Sequence, residues 1–430
     1  MTVGTTRRRF LMGSTALIAA GALTPAFAQD KRLRLTWWGG QSRADRTNSV
    51  ATLYTQQNPG VTYDGDYTGS FNDYWAKLGT QIAGGNASDV IQMDYRYLVE
   101  FANRGSLQTL DEYVGNALKL DDFDQDQIAG GTVNGKLYAI SLGANSVALM
   151  VNQTAFADTG VPEPTRDWTY DDYKSHAEAF NAKSNGMRLL ADGSGYEPAL
   201  ENWLRQRGKA LYTADGKLGF DETDATEWFQ LWADLRAANV CVSPDDQALD
   251  ATAAIDTLMV TLGRAATSFA NSNQLIAIQA LNQNPLTILN YPRAKAGSGG
   301  GHYRKPSQFW SVNAKSAVTE DAVKLVSFFV NDVEAGKILG VERGIPCSAQ
   351  VRQAVATTLD EKNLLALNFV SNLGELQGAS PPSPPAAAGE VSTQALITNS
   401  QEVAFGQTSP EQAGPAFVQQ ATEILSRASR

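Results

Sequence analysis

The chain has 430 residues, 43% apolar, 19% charged and 9% aromatic, which is ordinary globular composition and enough for two or three cores at roughly 150 residues each. Its formal net charge is −10, or −13 once the three arginines of the acid-free first 28 residues are removed, so nucleic acid and anionic membranes are poor partners. The two cysteines, Cys241 and Cys347, allow either one disulfide or two buried thiols, and two well-separated histidines (His176 and His302) argue against a zinc site.

Residues 1–28 read as a signal peptide rather than as part of the fold. Arg7, Arg8 and Arg9 precede the apolar run FLMGSTALIAAGAL, and Ala26-Phe27-Ala28 has the small-x-small form of a cleavage site. The run is shorter than the roughly 20 residues that span a bilayer. TRRRFLM (6–12) resembles a twin-arginine export signal, the alternative being an ordinary Sec signal with a basic start. Either implies export to the periplasm, and no cysteine follows the cleavage site to carry a lipid anchor.

LRLTW (33–37) then reads as a strand, and residues 43–58 as a helix stopped by Pro59. VTYDGDY (61–67) alternates like a second strand. Phe71, Tyr74, Trp75, Leu78 and Ile82 mark one face of a helix that Gly84-Gly85 ends, and DVIQM (89–93) is a third strand. This β-α-β-α-β order calls for a parallel sheet with right-handed crossovers. GKLYAIS (135–141) and SVALMVN (146–152) follow as strands. Thr169-Tyr170-Asp171-Asp172 has the form of a capped helix start.

Helical signals then dominate, including 221–239 with Trp228, Phe229, Trp232 and Leu235 on one face behind Asp221. Strand signals return at LTILNYP (286–292) and QFWSVNA (308–314), and one amphipathic helix is expected from about 320 to 339. GASPPSPPAAAGE (378–390) reads as a stiff irregular loop. Sheet segments that stop and reappear suggest two discontinuous α/β lobes. The expected division places 29–142 and 287–335 in the first lobe, and 143–286 and 336–430 in the second.

TWWGGQSR (36–43) sits beyond the carboxyl end of the first strand, where open parallel sheets bind ligands, and Asp94-Tyr95 sits in the same place on the third. A sugar offers an apolar C–H face to an aromatic ring and a rim of hydroxyls to Asp, Asn, Gln and Arg. Gly40 lets backbone amides approach closely. Carbohydrate is therefore the ligand these residue types suggest. Trp75, Trp228 and Trp232 lie at helical spacing and are read as packing residues, whereas Trp38, Trp203 and Trp310 are candidates either for core or for ligand contact. Asp94 could serve equally as a helix cap.

These segments resemble the family 1 extracellular solute-binding proteins of carbohydrate ABC transporters, the maltose-binding-protein-like group. The blocks are DYWAKLGTQIAGGNASDVIQMD (73–94), NGKLYAISLGANSVALMVNQTAFADTGVPEP (134–164), LGRAATSFANSNQ (262–274) and ERGIPCS (342–348). The resemblance implies a two-lobed α/β periplasmic binding protein of type II-like architecture, with a hinge of several crossings and sugar held between the lobes. It implies ligand contacts from Trp38, Gln41, Ser42, Arg43, Asp94, Tyr95, Asn145, Trp310 and Arg343. Asn271, Ser272 and Asn273 stand where the family often has an aromatic ligand contact. It further implies a monomer without cofactor that delivers its ligand to an inner-membrane permease.

Arg43 and Arg343 in an acidic protein suggest a uronide or sulfonated sugar, since guanidinium pairs with such anions through two parallel hydrogen bonds. The competing functions are binding of a non-sugar solute and action on polysaccharide. For the latter, no GxSxG elbow or distinct carboxylate pair stands out, and AGSGGGH (296–302) lacks a phosphate-loop lysine.

Overall fold

In the computed structural model the described residues are 31–428, without positions 70, 252–254, 383 and 386; residues 1–28, expected from sequence to be a signal peptide, lie outside them. The chain begins with strand β1 (Lys31–Trp38), whose Leu33, Leu35 and Trp37 are buried while Lys31 and Arg32 face solvent. Helix α1 (Gln41–Gln57) and strand β2 (Val61–Thr68) follow, then α2 (Phe71–Ala83), β3 (Val90–Met93) and α3 (Tyr95–Asn103). β1 runs parallel to β2 from Lys31↔Val61 to Trp38↔Thr68, and parallel to β3 at Leu35↔Val90. The expected parallel β-α-β-α-β unit is therefore present.

The chain next contributes the short strand β4 (Ile140–Ser141) to the same sheet, and then enters a second one through β5 (Val147–Asn152). The second sheet gains β6 (Arg188–Leu190), and helices α4 (Glu197–Gln206) and α5 (Glu222–Ala237) come after it. Asp221 caps α5 through a capping box, and Trp228, Phe229, Trp232 and Leu235 form its buried face. Burying Phe229 and Leu235 contributes about 1.5–3 kcal/mol each. Strand β7 (Ala265–Asn271), helix α6 (Leu275–Leu281) and strand β8 (Leu286–Leu289) complete this lobe's sheet, ordered β8-β5-β7-β6.

Strand β9 (Phe309–Val312) then returns to the first sheet, which is ordered β2-β1-β3-β9-β4. It runs antiparallel to β3 and β4, so the sheet is mixed rather than purely parallel. The expected helix at 320–339 is two helices, α7 (Thr319–Asn331) and α8 (Val333–Leu339). Asp332 breaks them: its backbone is extended, and its side chain accepts from the Ala335 N–H as a new N-cap.

Two boundaries of the expected division differ. Strand β8 pairs antiparallel with β5 at Leu289↔Leu149, so it belongs to the second lobe's sheet rather than to the first. Residues 336–356 stay with the first lobe: Leu339 and Cys347 pack in its core, and Asp124 N–H donates to the Cys347 carbonyl at 3.0 Å. Local apolar periodicity shows that such a segment is half-buried but not against which sheet. Only helix α9 (Glu361–Ser371) and the chain beyond it, ending in α10 (Pro410–Ala428), return to the second lobe.

Among the described residues three crossings join the lobes, near 142–146, 302–308 and 356–361. At the centre, Ala144 N–H donates to Ile345 O at 2.8 Å and Ile345 N–H to Ala144 O at 2.9 Å. On the other flank Ser307 N–H donates to Gly143 O at 2.8 Å, and Asn145 pairs with Lys305. Both cysteines are buried free thiols.

Candidate functional site

The chain's polar loops gather at the carboxyl edge of the first sheet, beside the crossings. There a cavity of about 640 Å³ opens between the lobes, within the range usual for small-molecule sites. Arg46 of α1 and the segment Gly340–Glu342 wall it from the first lobe. Ser272, Asn273 and the exposed Ile276 of α6 wall it from the second, and Asn145 of the first crossing lies at its base. Because α6 exposes Ile276, Ala277 and Ala280 on this side, an aliphatic strip faces the polar wall.

The charged lining groups have partners of their own. Arg46 Nη1 donates to the Ile338 and Leu339 carbonyls at 2.7 and 3.1 Å, closing the end of α8. Glu342 accepts from Arg43 Nε at 2.8 Å. Asp360 caps α9 by accepting from Asn363 N–H at 2.9 Å. Two oxygens on the cavity residues remain buried without a donor: Asn145 Oδ1 and Glu342 Oε2.

Of the residues singled out by sequence, Asn145 lines this cavity directly, and Arg43 reaches it through Glu342. Gly40, Gln41 and Ser42 are exposed at the start of α1, with Gln41 accepting from the Tyr67 hydroxyl at 2.8 Å. Tyr95 donates its hydroxyl to Pro381 O at 3.1 Å, joining α3 of the first lobe to the 378–390 loop. That loop is held to the second lobe by Arg205 of α4, which donates to Ala379 O at 2.5 Å. Asp94 acts as the α3 N-cap, accepting from Arg96 N–H at 3.0 Å and pairing with the Arg96 guanidinium. Asn271 N–H donates to Gln274 Oε1 at 2.8 Å, so its neighbours Ser272 and Asn273 face the cavity instead.

The tryptophans are corrections. Trp38 is buried against Tyr74 and Trp75, Trp310 is fully buried against Phe329, and Trp203 packs on Trp228 in the second core. Among the described residues no aromatic side chain lines the cavity. An indole ring has a large apolar surface that core packing hides as well as stacking does, and here the core takes all three.

Arg343 is also a correction. It is 2% exposed beneath the cavity wall, donating to Gln92 Oε1, to Gln308 Oε1 at 3.0 Å and to Thr47 Oγ1 at 2.8 Å. Burial, followed by the nearby Arg43 charge, pulls its pKa down to about 9. Both arginines behind the acidic-sugar expectation are thus engaged within the protein. Arg46, Glu342 and Ile276 were missed; only the position of Glu342 beside Arg343 in ERGIPCS hinted at one of them.

A second polar group lies where the second crossing meets α4. Tyr303 donates to Glu201 Oε2 at 3.2 Å, and the Arg205 guanidinium lies 5.0 Å from the Tyr303 ring centre. Burial, then the Glu201 charge, pushes Glu197 up to about 7.

A hinged pair of α/β lobes with a cavity between them defines a solute-binding protein. The profile of the family described as bacterial extracellular solute-binding protein matches residues 49–364, and the chain belongs to that family. It is similar to the family 1 extracellular solute-binding protein from Alicyclobacillus acidocaldarius, with 28% identity, a TM-score of 0.79 and coverage of 92% of this chain and 98% of that one. A periplasmic oligogalacturonide binding protein from Yersinia enterocolitica shares the fold at 22% identity and a TM-score of 0.78, over 93% of this chain and 100% of that one. A Brucella abortus binding protein is 26% identical over 186 residues, so the match spans 43% of this chain and 44% of that relative. Among the described residues no helix is long and apolar enough to cross a membrane.

Proposed function

We propose that this protein is a periplasmic receptor that captures a carbohydrate between its lobes by hinge closure and presents it to the permease of an ABC transporter. The observation that carries this reading is the cavity beside three chain crossings, walled by Glu342 from one lobe and by Asn273 and Ile276 from the other. A solute touching both walls favours the closed form, and the shift equals its differential affinity for the two forms. A sugar's hydroxyls suit the polar wall that includes Asn273 and Asn363, and its C–H face suits the Ile276 strip. The Yersinia neighbour has been solved with saturated digalacturonic acid, which makes sugar a reasonable class for this fold.

Export rests on the arginine-led, apolar first 28 residues, and the permease partner and monomeric state on the family. Small-angle scattering tests the mechanism: a sugar that raises the melting temperature should also lower the radius of gyration. An unchanged radius at saturation would remove hinge closure.

A further inference from the structure

Residues 377–381 form a strap that is seated on the second lobe and reaches across to the first. At its root, Gly378 N–H donates to His302 O at 2.7 Å, and Arg205 of α4 holds the Ala379 carbonyl. A side chain has no room at 378, since a Cβ there would meet the Gly300 carbonyl oxygen and the Arg205 guanidinium. Further along the chain, Pro385 packs over the Gly216 turn of the second lobe, 3.4 Å from where a Cβ at 216 would stand. Two bonds cross from this strap to the first lobe. The Tyr95 hydroxyl, at the start of α3, donates to Pro381 O at 3.1 Å, and Gln377 Nε2 donates to Asp126 Oδ2 at 3.4 Å. Asp126 is clamped in turn by Arg304 of the second crossing, through Nε and Nη2 at 2.8 Å each. Tyr95, Asp126, Gln377 and Pro381 all lie outside the cavity lining.

We propose that this strap is a latch that holds the lobes together before any solute arrives. Bonds made only while the lobes are apposed favour the closed form, whether or not the cavity is filled. The strap is suited to making them. Pro381 and Pro382 fix φ, so pinning that stretch loses less chain entropy than pinning a flexible loop. Proline also keeps its carbonyl while lacking an N–H, so Pro381 offers an acceptor without a donor to satisfy. One hydrogen bond of this kind changes the ratio of open to closed molecules about fivefold. Two are few enough for the lobes still to part. A receptor whose closed form is already populated binds its solute more tightly, because closure then takes less of the binding free energy. The inference rests on the hinge motion proposed above and adds a device that acts without solute.

Small-angle scattering on the solute-free mature protein tests it, with circular dichroism as the check on folding. Tyr95→Phe keeps the ring and removes the hydroxyl. It should raise the ratio of open to closed molecules about fivefold, read as a larger radius of gyration with an unchanged helix signal. Adding Gln377→Leu should enlarge the radius further. Scattering curves of both variants that superpose on that of the unmodified protein overturn the latch. A larger radius accompanied by a loss of helix signal overturns it too, since Tyr95 would then only support α3. Either result leaves the carbohydrate reading intact, because no solute is present. That reading fails by a different observation, namely that no sugar raises the melting temperature.

Discussion

Arg343 donates from Nη1 to Oε1 of Gln92, and Gln92 in turn donates from Nε2 to the Trp38 carbonyl at 3.3 Å. The same carbonyl accepts from Arg43, whose Nε holds Glu342, the residue preceding Arg343. These bonds close a ring that fixes the end of β1, the start of α1, the middle of β3 and the Glu342–Arg343 segment relative to one another. A single buried cation therefore sets where the cavity's carboxylate stands.

That ring predicts an unusual ordering of substitutions at position 343. Arg343→Lys keeps a buried charge, desolvates a more strongly hydrated ammonium, and cannot reach Gln92, Gln308 and Thr47 together. Arg343→Met leaves those acceptors short of a donor but removes the charge that burial opposes. Chemical denaturation should show Lys costing about 2–4 kcal/mol and Met less. The reverse order would mean that the guanidinium's charge is compensated.

The hinge makes a second prediction. A Cβ built on Gly143 would stand 2.5 Å from the Arg343 carbonyl oxygen and 2.8 Å from the Gly344 carbonyl carbon, both backbone atoms. Gly344 has φ +106°, a conformation that an L side chain rarely adopts. Gly143→Ala should force the first crossing away from the Arg343–Gly344 segment packed on it, lowering stability by about 1–3 kcal/mol. It should also alter the radius of gyration without ligand, while Gly135→Ala, in an open turn at φ +75°, strains one residue without touching the hinge. Equal scattering curves for Gly143→Ala and the unmodified protein would show that the crossings absorb the methyl elsewhere.

Much of the fold is legible because local patterns carry it. Leu33, Leu35 and Trp37 alternate, Trp228, Phe229, Trp232 and Leu235 recur at helical spacing, and Asp221 and Thr169 announce their helices by capping boxes. What periodicity omits is the partner. Strand β8 has the same apolar character as β9, yet it pairs with β5 in the other sheet, a choice made by contacts more than a hundred residues away in sequence. The site is legible in the same partial way. Asn145 could be found because it follows the strand-like GKLYAIS run, but Glu342 and Ile276 belong to different lobes and come together only in the folded chain. The tryptophans misled because ring size suits stacking and burial equally well, and nothing local distinguishes the two.

His302 supplies a pH prediction with a definite sign. It is buried in the second crossing, where Tyr291 N–H donates to its Nε2 at 3.2 Å, so Nε2 must be unprotonated. Burial takes its pKa from 6.5 down to about 3. Between those values the unfolded chain binds a proton that the folded chain refuses, so stability falls as pH drops below 6.5. The full effect, reached near pH 3, is of order 5 kcal/mol. His302→Gln, which keeps an acceptor for Tyr291, should flatten the slope of unfolding free energy between pH 6 and 4. A slope identical to that of the unmodified protein would place the acid sensitivity elsewhere.

Glu197 runs the other way. It stands at the first turn of α4, one turn before Glu201, with Lys305 of the second crossing as the opposing charge. Its pKa is raised from 4.5 to about 7, so here the folded state holds a proton that the unfolded chain releases. Stability from this group is complete below pH 4.5 and is lost as pH climbs toward 7. The partly exposed side chain is screened by water, which reduces the loss to about 1–2 kcal/mol. Glu197→Gln should therefore raise the melting temperature at pH 8 and leave it unchanged at pH 4. A folding-neutral carboxylate would show no difference at either pH, whereas one stabilised by Lys305 would make the variant weaker at pH 8. The sign at pH 8 decides whether desolvation or that pairing dominates where the second crossing meets the second lobe.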